Sequence, residues 1–263
     1  MSSSVSARGL ALAYGDTVAL EESDFRFPAA AVTVLIGPNG SGKSSVLAAV
    51  AGLLLPESGR LRVLGGDPKQ MRKRVAFVPQ STKVNDVLPV TVREVVGMGR
   101  YASLGLMRPF GDRDRRVVQA ALERLDLTEL AGRHLWELSG GQRQRVFVAQ
   151  GLVQERDLLL LDEPTTGLDL PSAQVIDDVI AAEREAGRAV AVTTHDFGEA
   201  RRADHVILLA NRVVAEGNPD DVFTPSNLAT AYGLEVSDLV DHVDDAAHQP
   251  AQTRHRHIEY PPI

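Results

Sequence analysis

Apolar and polar positions along this chain follow two different periods. Residues 5–27 alternate in a strand-like way about Tyr14-Gly15-Asp16, which predicts two strands joined by a tight turn. Beyond them come short apolar runs at 32–36, 61–64, 75–78, 158–161, 189–192 and 206–209. Runs of four or five such residues predict buried strands, and the unbroken Leu158–Leu161 run predicts a central parallel one. Val206–Leu209 and Arg212–Ala215 predict a closing hairpin.

Helical spacing fills the gaps between these runs. Val46, Leu47, Val50 and Leu53-Leu54 share one face, and residues 54–59 follow as a loop. Thr91-Val92-Arg93-Glu94 is a capping box, with Val95 and Val96 on the face of Val92. Asp112 is expected to cap a helix that turns Val118, Ala121, Leu122 and Leu125 inward, and its Arg113, Arg115 and Arg116 read as a solvated face. Tyr101–Gly111 reads as a loop. Ser139 is expected to cap a helix with Val146, Ala149 and Val153 inward. Pro171 opens another, with Val175, Ile176, Val179 and Ile180 inward, and Gly187 ends it. Short helices are expected near Asp220 and Leu228. Strand and helix alternate, so the fold class is α/β. From residue 81 to 135 the pattern turns helical, as an insertion into that fold.

The chemistry sits where these periods meet. Gly37-Pro38-Asn39-Gly40-Ser41-Gly42-Lys43-Ser44 fits G-x-x-x-x-G-K-[ST] and lies between a predicted strand and a predicted helix. Glycines let backbone N–H groups approach phosphate oxygens, and the helix start adds positive potential. Lys43 is placed to reach the β- and γ-phosphates, and Ser44 to hold Mg²⁺. Asp162-Glu163 ends a buried strand, where two acids are costly unless a cation or water meets them. Asp162 suits a magnesium-bound water, and Glu163 suits an attacking one. Gln80 and His195 also follow strand ends, where ligands of open α/β sheets bind. Ser139-Gly140-Gly141-Gln142 combines a hydroxyl, glycine N–H groups and a helix start, so it is both a plain cap and a second phosphate site. Tyr14 is either an ordinary hairpin aromatic or an adenine-stacking one.

Composition narrows the rest. A length of 263 residues supports one large α/β domain, with or without an inserted subdomain. A formal charge of −7 argues against nucleic-acid binding through bulk charge. Cysteine is absent, which excludes thiolate and disulfide chemistry. The N-terminus has no secretory leader pattern, and no apolar run is long enough to span a bilayer, so a membrane role is expected to need a partner. From about Glu235 the pattern decays into a tail holding His242, His248, His255 and His257, read as polar and flexible rather than as a metal site.

Taken in order, these motifs resemble the ATP-binding subunits of ABC transporters. The resemblance spans about residues 5–233 and rests on a Walker A loop at 37–44, a Q-loop at Gln80 and a signature at Leu138–Gln142. A Walker B strand at 158–162 with Glu163, a D-loop at Thr166-Gly167-Leu168-Asp169 and a switch His195 complete it. It implies a P-loop NTPase (RecA-like) core with an N-terminal antiparallel β region and an inserted helical subdomain at about 81–155. The ATPase domain would cover 1–233, with 234–263 a tail. It further implies ATP held by Gly37, Pro38, Asn39, Gly40, Ser41, Gly42, Lys43, Ser44 and Ser45, with Tyr14 stacking on adenine. Mg²⁺ would sit at Ser44, Gln80 and Asp162. Glu163 would be the general base, and His195, Gln80 and Lys43 would complete the hydrolytic set. In a head-to-tail homodimer, Ser139, Gly140, Gly141, Gln142 and Asp169 would face the nucleotide of the other copy. Membrane permease subunits on the cytoplasmic face, and an extracellular binding protein indirectly, are the implied partners. The stretch Asn85–Tyr101 with Gly105 is similar to importers of zinc or manganese, and also to those of ferric siderophores or haem. The first is the expectation, with Leu88 departing from the aromatic that many metal importers carry. A soluble non-transport ATPase is disfavoured by the single P-loop and the lack of sustained heptads.

Overall fold

The computed structural model describes residues 3–80, 89–104 and 109–234. The expectations on residues 85–88, on Gly105 and on the tail from 235 lie outside these.

Strands β1 (Ser3–Tyr14) and β2 (Thr17–Pro28) form the antiparallel pair that the alternation predicts. Next come β3 (Val32–Ile36), α1 (Lys43–Val50), β4 (Ser58–Val63), α2 (Pro68–Met71) and β5 (Val75–Val78). A helical stretch follows, with α3 (Val92–Leu104), α4 (Asp112–Arg124) and α5 (Gly140–Leu152). The chain then runs through β6 (Leu158–Asp162), α6 (Leu170–Glu185), β7 (Ala189–Thr194), α7 (Phe197–Arg201), β8 (His205–Leu209), β9 (Val213–Gly217), α8 (Pro219–Val222) and α9 (Pro225–Tyr232).

Among the described residues the strands make two sheets. One has the order β2-β1-β4 and the other β5-β6-β7-β3-β8-β9. In the larger sheet every pairing is parallel except β8 with β9. Its inner strands β3, β6, β7 and β8 are mostly apolar and almost wholly buried because both faces are covered. Leu158 and Leu160 enter the core shared with α1 and the small sheet, while Leu159 and Leu161 enter the core shared with α3, α4, α5 and α6. Val34 and Ile36 of β3 divide from Leu35 in the same way. This stacking aligns the carboxyl ends of β3, β5, β6 and β7 on one edge.

Two expectations of the sequence are corrected. Tyr101–Leu104 is helix rather than loop, since α3 continues to Leu104. There the Tyr101 ring, 61% exposed, lies 6.2 Å from that of Phe110, and Leu104 is buried, so the last turn of α3 is held by the packing of Leu104. Gly99 is where α3 meets α5, and a Cβ there would collide with the Gln150 carbonyl. Second, Asp112 lies inside α4 and Gly111 is its N-cap, with the Gly111 N–H donating to Asp114 Oδ2 at 3.0 Å. The acid at the third helical position serves the cap better than the first, whose side chain pairs with Arg115 instead. Strand limits also shift: β4 begins at Ser58 and β9 runs from Val213 to Gly217. No helix among the described residues is long and apolar enough to cross a membrane.

Candidate functional site

The loop between β3 and α1 is closed by Ser41 N–H donating to the Pro38 carbonyl at 3.2 Å, and by Asn211 N–H donating to the Ser41 carbonyl at 3.2 Å. Gly42 caps α1 at φ 98°, and a Cβ there would lie 2.5 Å from the Ala19 carbonyl oxygen of β2. Gly37 packs so closely on the Leu209 carbonyl of β8 that a side chain has no room. Two strands therefore hold the loop from behind, and only glycine fits.

Lys43 opens α1 and is only 5% exposed. Its Nζ donates to the carbonyls of Gly37 at 2.8 Å and Pro38 at 2.9 Å. Burial pushes its pKa below the ordinary lysine value, while the charges of Glu163 and Asp162 act the other way. Ser41 Oγ is buried with no hydrogen-bond partner, which leaves a polar group in the loop asking for one. A phosphate-bearing ligand fits both features.

At the end of β6, Asp162 Oδ1 accepts from Ser44 Oγ at 3.0 Å and from Thr193 Oγ1 at 2.6 Å. Thr193 is opposite Asp162 on β7, and its hydroxyl also accepts from the Glu163 N–H at 2.8 Å. Glu163 itself is left-handed, with φ 48°, a conformation costly for a non-glycine residue. Its Oε2 accepts from Gln80 Nε2 at 2.7 Å and from Thr166 Oγ1 at 3.2 Å. Ser44, Asp162 and Gln80 thus offer oxygen donors beside the loop, the set that suits Mg²⁺ completed by phosphate oxygens and water.

One pocket of about 740 Å³ is lined by residues 37–45, Gln80, Glu163, Thr166, His195, Phe197 and Tyr232, with Asp162 and Thr193 behind its wall, bonded to Ser44 and the Glu163 N–H. Sequence reasoning missed Thr193, Phe197 and Tyr232, and placed Thr166 only at the start of the D-loop. Phe197 follows His195 by two residues, and that proximity was a usable signal. Tyr232 arrives from α9 and packs on Phe197 with ring centroids 5.7 Å apart, which no local pattern announces.

Other expected residues lie elsewhere. Ser139 caps α5: its Oγ accepts from Gln142 N–H at 3.3 Å, and its own N–H donates to Gln142 Oε1 at 3.0 Å. Asp169 caps α6, and hydrogen bonds from Ser172 hold its carboxyl below the usual aspartate value. A Cβ on Gly141 would lie 3.3 Å from Ser172 Oγ, so the starts of α5 and α6 are neighbours. None of Ser139, Gly140, Gly141, Gln142 and Asp169 lines the pocket, and neither does Tyr14, which is 55% exposed at the end of β1.

Residues 20–166 match the sequence profile of the family described as ABC transporter. The chain is 41% identical to the zinc transport system ATP-binding protein TroB of Treponema pallidum, over 87% of this chain and 86% of that protein. It is 36% identical to the manganese transport system ATP-binding protein MntA of Synechocystis sp., over 87% of this chain and 90% of that protein. Its fold matches the dimeric post-hydrolysis structure of the ATP-binding cassette MJ0796 bound to ADP and phosphate, with a TM-score of 0.73 at 26% identity, over 82% of this chain and 98% of that one.

Proposed function

The chain belongs to the ABC transporter family, and on that premise we propose that it hydrolyses ATP to power import of a divalent transition metal, zinc or manganese, through a separate membrane permease. The observation carrying the ATPase part is convergence: residues from the ends of β3, β5, β6 and β7 meet around one pocket.

In this reading the loop N–H groups of residues 37–44 cradle the phosphates. Lys43 leaves the Gly37 and Pro38 carbonyls and pairs with the β- and γ-phosphates. Ser44, Asp162 and Gln80 would hold Mg²⁺, which would supply charge neutralisation on the phosphate oxygens. Glu163 takes the proton of the attacking water, its carboxylate steadied through Oε2 by Gln80 and Thr166. His195 donates to the γ-phosphate and to the phosphate released. Tyr14 stacks on the adenine ring. Ser139, Gly140, Gly141, Gln142 and Asp169 act on the nucleotide held by a second copy, as the dimeric cassette among the structural relatives supports. Closure then depends on contacts made only with ATP, and hydrolysis releases them.

We place the ATPase domain at 1–233, with its helical subdomain at about 81–155 and the tail beyond. The homodimer would dock on permease subunits at the cytoplasmic face, fed by an extracellular binding protein. The names of the zinc and manganese relatives support the cargo.

The test is deletion of the gene followed by growth under metal chelation. Zinc or manganese alone should restore growth, and rescue by the gene should fail with Glu163→Gln. A defect confined to ferric siderophores or haem would overturn the cargo and leave the ATPase standing. A fully active Glu163→Gln rescue would overturn the hydrolytic assignment.

A further inference from the structure

Glu199, on α7, faces the backs of both loops that carry the hydrolytic residues. Its Oε1 accepts from Thr165 Oγ1 at 2.7 Å and its Oε2 accepts from Thr194 Oγ1 at 2.7 Å. Thr165 belongs to the loop after β6, one residue before Thr166, whose hydroxyl holds the Glu163 carboxylate at 3.2 Å. Thr194 ends β7 and immediately precedes His195. The Thr194 hydroxyl also accepts from the Asp196 N–H at 3.0 Å, and Asp196 Oδ1 accepts from the Glu199 N–H at 2.9 Å. The turn bearing His195 is therefore bonded at two points to the residue that also grips the Glu163 loop, and is closed on itself by the Asp196 N–H to Thr194 contact. Glu199 does not line the pocket.

We propose that Glu199 is a positioning residue for hydrolysis, fixing the distance between the Glu163 and His195 loops through its paired bonds to Thr165 and Thr194. The physical reason is valency. A carboxylate accepts two hydroxyl protons at once, in one plane and from opposite sides, and charge-assisted bonds of this kind are stronger than neutral ones. Two loops on neighbouring strands are free to shift independently at their tips, and one side chain bonded to both removes that freedom. The base and the phosphate-binding imidazole must act on the same γ-phosphate and water, so a small misplacement of either is costly in rate.

The proposal rests on reading Glu163 and His195 as the hydrolytic pair, and the experiment separates the two. ATP turnover, KM for ATP and melting temperature are measured on the full chain with Glu199→Ala, Glu199→Gln and Glu199→Asp. A threonine hydroxyl can turn its proton and pair with an amide, so Glu199→Gln keeps both contacts, whereas Glu199→Asp is one methylene short. We expect Glu199→Ala and Glu199→Asp to lower kcat about tenfold or more, with KM and melting temperature near wild type, and Glu199→Gln to recover most of it. In the Thr165→Val/Thr194→Val background, Glu199→Ala should cost nothing further. A second readout needs no turnover: amide hydrogen exchange should quicken in 163–169 and 194–197 together in Glu199→Ala. An unchanged kcat, a loss shared equally with KM and melting temperature, additivity in the cycle, or faster exchange in one loop only would each overturn the proposal. A wild-type chain that binds ATP and never hydrolyses it would instead overturn the hydrolytic reading, leaving hydrogen exchange to judge the strap.

Discussion

Gln80 Nε2 donates to Glu163 Oε2 across 2.7 Å, joining the end of β5 to the end of β6. The same oxygen accepts from Thr166 Oγ1 at 3.2 Å, so both contacts converge on one oxygen of the carboxylate. Gln80 and Thr166 thus hold one edge of the Glu163 carboxylate in place.

Replacing Glu163 by Gln keeps the shape of this contact and removes the basicity. Steady-state ATP turnover should fall by about a hundredfold or more, the usual worth of a general base. ATP binding should survive, and with ATP the variant should elute as a dimer in size-exclusion chromatography. Turnover near wild type would remove Glu163 from the mechanism.

Lys43 gives a pH dependence with two opposite signs. Burial lowers its pKa from 10.5, so its proton leaves at lower pH than from a free lysine. As pH rises through the lowered value, the ammonium that meets the phosphates is lost and ATP affinity should fall. Stability runs the other way. Between the folded and unfolded pKa values the unfolded chain binds more protons, so the apo protein should gain stability as pH rises towards 10.5. ATP titrations and urea melts across the alkaline range would check both, and Lys43→Met should flatten both curves.

Glu183 is a buried carboxylate that ties α4 to α6. Its Oε1 pairs with Arg124 Nη1 at 2.8 Å, and its other oxygen pairs with Arg188. Removing the acid deletes both charge-assisted pairs, while the two guanidinium groups, 37% and 35% exposed, turn to water. Glu183→Ala should cost about 2 kcal/mol in a denaturant melt, in the range for hydrogen bonds to charged groups. The KM for ATP should hold, since Glu183 is remote from the pocket-lining residues.

Tyr14 tests a proposed contact with this chain's own nucleotide that stands apart from the pocket. If its ring stacks on adenine, Tyr14→Ala should weaken ATP binding by about 1 kcal/mol or more, the usual value of base–aromatic stacking. Inorganic triphosphate, which has no base, should bind both forms equally in calorimetry. An equal loss for the two ligands would mean that Tyr14 supports the loop and does not stack.

Much of this protein is local, and the sequence alone determined it. The Leu158–Leu161 run is a strand with two covered faces, because only a buried parallel strand tolerates apolar residues on both sides. Ser139 and Gln142 make their cap from four consecutive positions, and the positive φ of Gly40 and Gly42 in the loop at 37–44 is a local demand for glycine. Tertiary structure decided whatever depends on residues far apart in the chain. Packing of Leu104 extends α3 into a stretch whose glycines predict a loop. Thr193 serves Asp162 and Glu163 together only because β6 and β7 are paired in register. Tyr232 reaches the pocket because α9 folds back against Phe197, and Glu199 grips Thr165 and Thr194 because α7 lies behind two neighbouring strand ends. Hydrogen bonds and ring contacts act over a few ångströms of space, and sequence patterns report only separations along the chain.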